Sequence, residues 1–389
     1  MTRDASVDIA ETTAETIAEI NSVTLPPASR PAGVGQALFS TARRLGGSLG
    51  RSWKWLKWPV ALGILVWLYV QNQEDLAKIA GQPKRWSLAF LGFGLIGASA
   101  LVTFSRWYVL VRAQEFTFRW RDAVRYGFVG MVMNYVAPGA VGGDLFKAVL
   151  LARDQTSRRT VAFATVLLDR ILGMLALFLV GACTTLLPQQ GPPNPKLRLT
   201  TLLLLCGSLG GLTGLVLMLL PATTRWKWVN RLPQIPFVGK MIGELIHGVK
   251  LYQSKPAAVF GALGLSLIGH TGLITGFYFC ALWMQQPWIP DLAGHFYFMP
   301  TAELFSALFP TPGGIGALEE AVSWFYIQLK PEAIPEAQAA GAGAMAGIAF
   351  RIVTMSIAAI GYGYYITSRR EISAAIAEAS HEPSPPPTR

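Results

Sequence analysis

Arg125–Arg153 reads RYGFVGMVMNYVAPGAVGGDLFKAVLLAR, a hydrophobic segment that is broken in its middle. A helix cannot continue through PGAVGGD at 138–144, because proline removes a backbone donor and glycine is a poor helix former. Each apolar arm is about a dozen residues, or roughly 15–20 Å of helix, which is half of a hydrocarbon core of about 30 Å. Arginines flank both ends. The segment therefore predicts a re-entrant hairpin that enters and leaves on the cytoplasmic side.

A second broken segment lies in the other half of the chain. Phe296–Lys330 reads FYFMPTAELFSALFPTPGGIGALEEAVSWFYIQLK and is interrupted by PTPGGIG at 310–316. As in the first segment, the break is followed by a helix with a carboxylate near its start. Two interrupted hydrophobic segments in corresponding places indicate the binding site of a transporter.

The composition predicts an all-α polytopic membrane protein. Hydrophobic residues make up 52% of the 389-residue chain and charged residues only 14%, against about 25% charged residues in soluble domains. The net charge of +11 lies in short loops beside apolar segments, which favours membrane lipids over nucleic acid as partners. The three cysteines have no paired spacing, so neither a disulfide framework nor a metal site is expected. No motif calls for a cofactor.

Hydropathy and loop charge predict about six full spans with both termini in the cytoplasm. We expect a disordered arm over 1–50, a membrane domain over 51–370 and a disordered tail over 371–389. Arg106 is assigned to the cytoplasmic end of the second span, and 231–255 to an amphipathic helix on the cytoplasmic face. The predicted spans are about 58–70, 86–111, 160–187, 199–220, 256–284 and 337–366.

The order of these segments predicts an inverted repeat. Residues 86–187 form a span, a hairpin and a span, and residues 256–367 repeat that order from the opposite side of the membrane. The two hairpins are then expected to enter from opposite faces, an architecture found in many secondary transporters.

The motifs NYVAPGAVGGDLFK and FPTPGGIGALEE, with an Asp-Arg span between them, resemble the lysylphosphatidylglycerol synthase transmembrane (flippase-like, UPF0104) family. That family includes the lipid-translocating region of the multiple peptide resistance factor. The resemblance covers roughly residues 55–370 and implies a domain that handles a phospholipid or a polyprenyl-linked lipid in the bacterial cytoplasmic membrane. The family's synthases add a soluble C-terminal domain, whereas only residues 367–389 follow the last predicted span. We therefore expect no enzyme activity.

The break in the first segment supplies one set of candidate substrate-binding residues. A half-helix that starts at Gly142 would offer free N–H groups and a helix dipole to a lipid phosphate. Lys147 is the better phosphate partner, since Asp144 is an anion that could instead cap the helix. The glycines could also simply permit close helix packing. The candidates here are Asn134, Pro138, Gly142, Gly143, Asp144 and Lys147.

The second break and two charges within spans complete the candidate site. Glu319 lies in the first turn of its half-helix, where it could cap that helix, carry a proton or contact a headgroup amine. Charges inside spans need partners, and pairs across the repeat, Arg170 with Glu319 or Arg351 with Asp144, are plausible. The candidates are Pro312, Gly313, Gly314, Gly316, Glu319, Arg170 and Arg351. Glu303 is a weaker candidate, and His270 and His295 are interpreted as structural.

The leading hypothesis is a lipid transporter that works by alternating access. The alternative is a non-transporting accessory subunit of a lipid- or glycan-modifying membrane enzyme. A homo-oligomer or a partner enzyme is compatible with either hypothesis.

Overall fold

The computed structural model describes residues 85–136, 142–154, 158–186, 194–225, 229, 231, 239–309 and 311–380. The predicted arm at 1–50, the predicted span at 58–70, Pro138 and residues 381–389 lie outside this part of the chain. Its helices in chain order are α1 (Trp86–Ala113), α2 (Trp120–Val136), α3 (Gly142–Asp154), α4 (Arg159–Thr184), α5 (Pro195–Leu219), α6 (Pro221–Arg225), α7 (Gly239–Ser254), α8 (Pro256–Trp283), α9 (Leu292–Leu308), α10 (Ala317–Leu329) and α11 (Glu336–Ser380).

The described chain is helical and contains no strand, which confirms the predicted all-α class. Five helices are long and apolar enough to cross a membrane: α1, α4, α5, α8 and α11. They correspond to five of the six predicted spans, and the sixth lies outside the described residues. The chain is an all-α polytopic membrane protein.

Each broken segment folds into two short helices that pack against each other. Helices α2 and α9 have 17 residues each, and α3 and α10 have 13 residues each. At about 1.5 Å per residue the shorter helices are roughly 20 Å long, which is less than a hydrocarbon core of about 30 Å. In the second segment α9 ends at Leu308 and α10 begins at Ala317, on either side of the predicted break at 310–316, whereas Gly142–Asp144 of the first predicted break are helical.

Helices α1 and α8 pack antiparallel along a seam of small residues. Gly92 lies against Cys280 and Gly272 against Ser99. Further along α1, Arg106 reaches Ser266. Residues later in α1 therefore contact residues earlier in α8, as in an antiparallel pair. Because the glycines have no side chains, the two backbones approach closely.

Several other contacts occur as equivalent pairs between two units, unit one (86–184, α1–α4) and unit two (256–380, α8–α11). Helix α4 of unit one packs on α9 of unit two, and α11 of unit two packs on α2 of unit one. Within each unit the second short helix packs on the long helix that follows it. Because the equivalent helices α1 and α8 are antiparallel, this packing is that of the expected inverted repeat.

Two helices extend beyond their predicted ends. Helix α1 ends at Ala113, two residues after the predicted end of the span, and Arg106 is buried within it. Helix α11 continues to Ser380, so residues 371–380 are helical although the tail was expected to be disordered from 371. The alanines and glutamates of EISAAIAEAS are strong helix formers, which explains the extension.

The predicted amphipathic segment forms α7, which closes one end of the helix bundle. The Tyr252 hydroxyl donates to the Leu110 carbonyl (3.1 Å), and the Gln114 side-chain amide donates to the Gly248 carbonyl (3.1 Å). Both bonds tie α7 to the end of α1. Its placement on the cytoplasmic face remains a prediction.

Candidate functional site

Arg351, near the middle of the spanning part of α11, binds the break between α9 and α10. Its Nε and Nη2 atoms donate to the two oxygens of Glu319, at 2.8 and 3.2 Å. Its Nη1 and Nη2 atoms also donate to the carbonyls of Gly313 (2.7 Å) and Gly314 (3.2 Å). The second oxygen of Glu319 accepts from the Gly316 N–H (2.8 Å), which caps α10. Arg351 and Glu319 are both buried.

The glycines of this break are required by its backbone. Gly313, Gly314 and Gly316 all have positive φ values, of 60°, 66° and 86°, a region that side-chain-bearing residues rarely adopt. The turn Pro312–Gly314 exposes its carbonyls to Arg351, and a Cβ on Gly313 would lie 2.7 Å from the ring of Tyr135 in unit one. The break is therefore rigidly built.

These contacts give Arg351 and Glu319 a structural role. Four of the five guanidinium N–H groups of Arg351 have partners within the chain. The predicted pairing of Arg351 with Asp144 is wrong, because the half-helix start nearest to Arg351 belongs to its own unit. Asp144 is the third residue of α3 and Glu319 the third of α10, and each pairs with the arginine of the long helix that follows.

The start of α3 in unit one is held by close backbone packing. The Gly143 N–H donates to Oδ1 of Asn134 (2.8 Å), which joins α3 to α2. A Cβ on Gly143 would lie 2.0 Å from the Gly130 carbonyl oxygen, so only glycine fits there. The structure places Gly142 as the first residue of α3. Asn134 and Gly143 therefore shape this break.

Asp144 forms ion pairs with two cations in unit one. Its Oδ1 lies 2.9 Å from Nζ of Lys147, and its Oδ2 forms an ion pair with Nε of Arg170. Lys147 also lies over the ring of Trp107, 5.5 Å from its centroid. The predicted pairing of Arg170 with Glu319 is wrong, for the same reason as for Arg351. The cluster Asp144–Lys147–Arg170 carries one net positive charge when all three groups are ionised.

Arg170 differs from Arg351 in its exposure. Its side chain is 45% exposed, against 10% for Arg351. It lies about 17 Å along α4, near the helix middle. The neighbouring residues on this face of α4 are exposed and apolar, as expected for a surface in contact with lipid: Phe163, Leu167, Ile171 and Met174. The arginine therefore joins a buried carboxylate to this exposed apolar face of α4.

Sequence reasoning missed the partner of Asp169. Arg106 of α1 donates from Nε and Nη2 to the two oxygens of Asp169 (2.7 and 2.9 Å) and from Nη1 to the Ser266 hydroxyl (3.0 Å). The corresponding position in unit two has an aromatic contact between Phe277 and Phe350, with ring centroids 5.1 Å apart. The position of Arg106 inside an apolar run was the available signal.

The two histidines that were interpreted as structural have different surroundings. His295 is buried, with Nδ1 2.8 Å from the Asp291 carbonyl and Nε2 2.9 Å from the Tyr326 hydroxyl, which supports that interpretation. His270 instead has a buried Nδ1 without a hydrogen-bond partner in the described chain, 3.9 Å from Oε2 of Glu303. Within the described residues no group of three or more His, Cys, Asp or Glu side chains could hold a metal ion.

A model of the family described as lysylphosphatidylglycerol synthase TM region matches residues 55–361. The match contains both broken segments, the three arginine–carboxylate pairs and the α1–α8 seam. No curated protein and no solved structure shows a significant match to the chain.

Proposed function

Because the chain belongs to the lysylphosphatidylglycerol synthase TM region family, we propose that it moves a phosphate-bearing lipid, a phospholipid or a polyprenyl-linked lipid, across the membrane by alternating access. The observation that carries this proposal is Arg170. This arginine lies near the middle of a membrane-spanning helix, is exposed on the lipid-facing side and is backed by Lys147 and Asp144.

The chemistry of the cluster suits an anionic headgroup. An arginine binds phosphate through paired N–H donors, and a lysine adds a point charge. A charge in a span is expensive and usually serves a substrate pathway or a structural pair. Arg351 already serves a structural pair, whereas Arg170 retains membrane-facing surface. The lipid phosphate therefore binds at Arg170 and Lys147, and not at Arg351.

The inverted packing supports alternating access. In transporters with inverted repeats, two equivalent units rock against each other around a site near the bilayer middle. Here the units meet along the α1–α8 seam, and both breaks lie at the starts of short helices beside it. The hairpins are re-entrant and open to opposite faces, with both termini in the cytoplasm of a bacterial cell.

Lipid flipping by purified protein tests the proposal. Liposomes would contain fluorescent phosphatidylglycerol or phosphatidylcholine, and a membrane-impermeant quencher would report the fraction reaching the outer leaflet. Protein-containing vesicles are expected to expose the anionic lipid faster than protein-free vesicles. Absence of any acceleration would contradict transport and favour the accessory-subunit alternative.

Arg170→Gln is the informative variant. Loss of one charge-assisted hydrogen bond costs about 1.5–3 kcal/mol, or roughly a ten- to a hundredfold loss of affinity. The initial flipping rate at subsaturating lipid is expected to fall by that factor in Arg170→Gln. Arg170→Lys should retain part of the wild-type rate. Arg198→Gln, at an exposed arginine at the start of α5, is the matched control. Equal rates for Arg170→Gln and wild type would exclude Arg170 from the lipid path.

A further inference from the structure

His270 and Glu303 form an incomplete polar contact between α8 and α9. Nδ1 of His270 is buried without a hydrogen-bond partner in the described chain, and it lies 3.9 Å from Oε2 of Glu303. Hydrogen bonds of this type are about 2.7–3.2 Å long. A buried polar atom that lacks a partner needs an explanation. One proton on either atom, with an approach of about 1 Å, would complete a hydrogen bond.

The groups around this contact are already satisfied or are charged. Helix α1 contributes Arg106 and helix α4 contributes Asp169, which pair with each other. Helix α4 also contributes Arg170, which interacts electrostatically with Glu303 as well as with Asp144. Lys147 and Asp144 of α3 lie behind Arg170. Arg351 of α11 and Glu319 of α10, in the same unit as His270 and Glu303, neutralise each other.

The charges around this contact balance when Glu303 is ionised and His270 is neutral. Three cations, Arg106, Lys147 and Arg170, then face three carboxylates, Asp144, Asp169 and Glu303. An anionic headgroup at Arg170 would leave one excess negative charge at membrane depth, where an uncompensated charge is costly.

We propose that Glu303 and His270 are a proton-binding site that takes up one proton from water when an anionic lipid headgroup binds at Arg170. The proton adds to Oε2 of Glu303 or to Nδ1 of His270 and is shared between them, and it leaves when the lipid leaves. This inference rests on the proposed lipid-binding role of Arg170. By linkage, protons strengthen lipid binding as much as lipid strengthens proton binding.

Calorimetry on purified protein measures the proton directly. Short-chain dihexanoyl phosphatidylglycerol would be titrated, below its critical micelle concentration, into protein in phosphatidylcholine nanodiscs. Two buffers at the same pH with different ionisation enthalpies, such as HEPES and Tris, give the number of protons taken up per lipid. Wild type is expected to take up about one proton, and affinity should fall about tenfold per pH unit once the free site is deprotonated.

Glu303→Gln mimics the protonated side chain and is expected to bind the probe without proton uptake. Glu320→Gln, which removes an exposed carboxylate at the start of α10, is the matched control and should still take up about one proton. If Glu303→Gln fails to fold, the pH dependence of probe affinity in wild type tests the proposal alone. In wild type, an affinity that does not change with pH, or binding without proton uptake, would overturn the proton site and leave the lipid site unaffected. Proton uptake in Glu303→Gln would place the proton elsewhere. No binding of the probe would overturn both proposals.

Discussion

Arg170 and Arg351 occupy equivalent places in the two units but use their guanidinium groups differently. Arg351 donates four hydrogen bonds to groups of the second break and is nearly sealed from its surroundings. Arg170 pairs with Asp144 while nearly half of its side chain is exposed. Arg351 therefore stabilises a turn, and Arg170 remains accessible to a ligand from the bilayer.

Replacing Arg351 by methionine is expected to lower stability and not only transport. Removing one member of a buried ion pair typically costs about 3–5 kcal/mol, because the other charge is left without a partner. The double variant Arg351→Met with Glu319→Gln should recover part of that loss. Thermal unfolding in detergent is the measurement, with Arg198→Met as the exposed control. If Arg351→Met has the same melting temperature as wild type, Arg351 has no structural role in this break.

Single residues show what the sequence could and could not predict. Polarity in apolar runs correctly predicted that Asp144, Arg170, Glu319 and Arg351 need partners. It predicted the wrong partners, since pairing depends on how each half-helix is rotated and on which long helix covers it. Arg106 was missed because a cation near the end of an apolar run has the same pattern as a topology signal.

The second break and the start of α3 are held by different contacts. The second uses three glycines with positive φ and the guanidinium of Arg351. At the start of α3, the Asn134 amide oxygen and a backbone approach between Gly143 and Gly130 hold the structure. Proline and glycine patterns indicate both breaks. They do not indicate which glycine is needed for a positive φ and which is needed because another backbone lies close to it.

Gly143→Ala is expected to disrupt the first break. The new Cβ would lie 2.0 Å from the Gly130 carbonyl oxygen, a backbone atom that cannot move aside alone. Overpacking of this kind typically costs about 1–3 kcal/mol, and occasionally more. Gly94→Ala is the control, because a Cβ there meets nothing within 4 Å and alanine favours the helix by up to about 1 kcal/mol. Equal melting temperatures for the two variants would contradict the close contact at Gly143.

The small-residue run at 340–347 of α11, AGAGAMAG, packs against α10. A Cβ on Gly343 would lie 2.6 Å from Cα of Ser323, and one on Gly347 would lie 2.9 Å from Cγ of Glu319. This close approach brings α11 near enough for Arg351 to reach Glu319.

The packing of the two units predicts where the ends of each hairpin emerge. In a background lacking Cys183, Cys206 and Cys280, single cysteines at Arg119 and Thr156 should react with an impermeant thiol reagent from the cytoplasmic side only. Cysteines at Pro287 and Glu332 should react from the outside only. Each pair flanks one hairpin, so both members label together if the hairpin re-enters. Labelling of Arg119 and Thr156 from opposite sides would show that the first segment crosses the membrane.

The balance of three cations and three carboxylates around His270 and Glu303 has a consequence for energetics across a charged membrane. A membrane potential of 100 mV exerts about 2.3 kcal/mol on each elementary charge that crosses it. A cluster with zero net charge can change its depth during rocking with little net work against that potential. A singly charged lipid accompanied by one proton would likewise cross as an electrically neutral pair. The electric field would then neither drive nor oppose the cycle, and the lipid and proton gradients alone would set its direction.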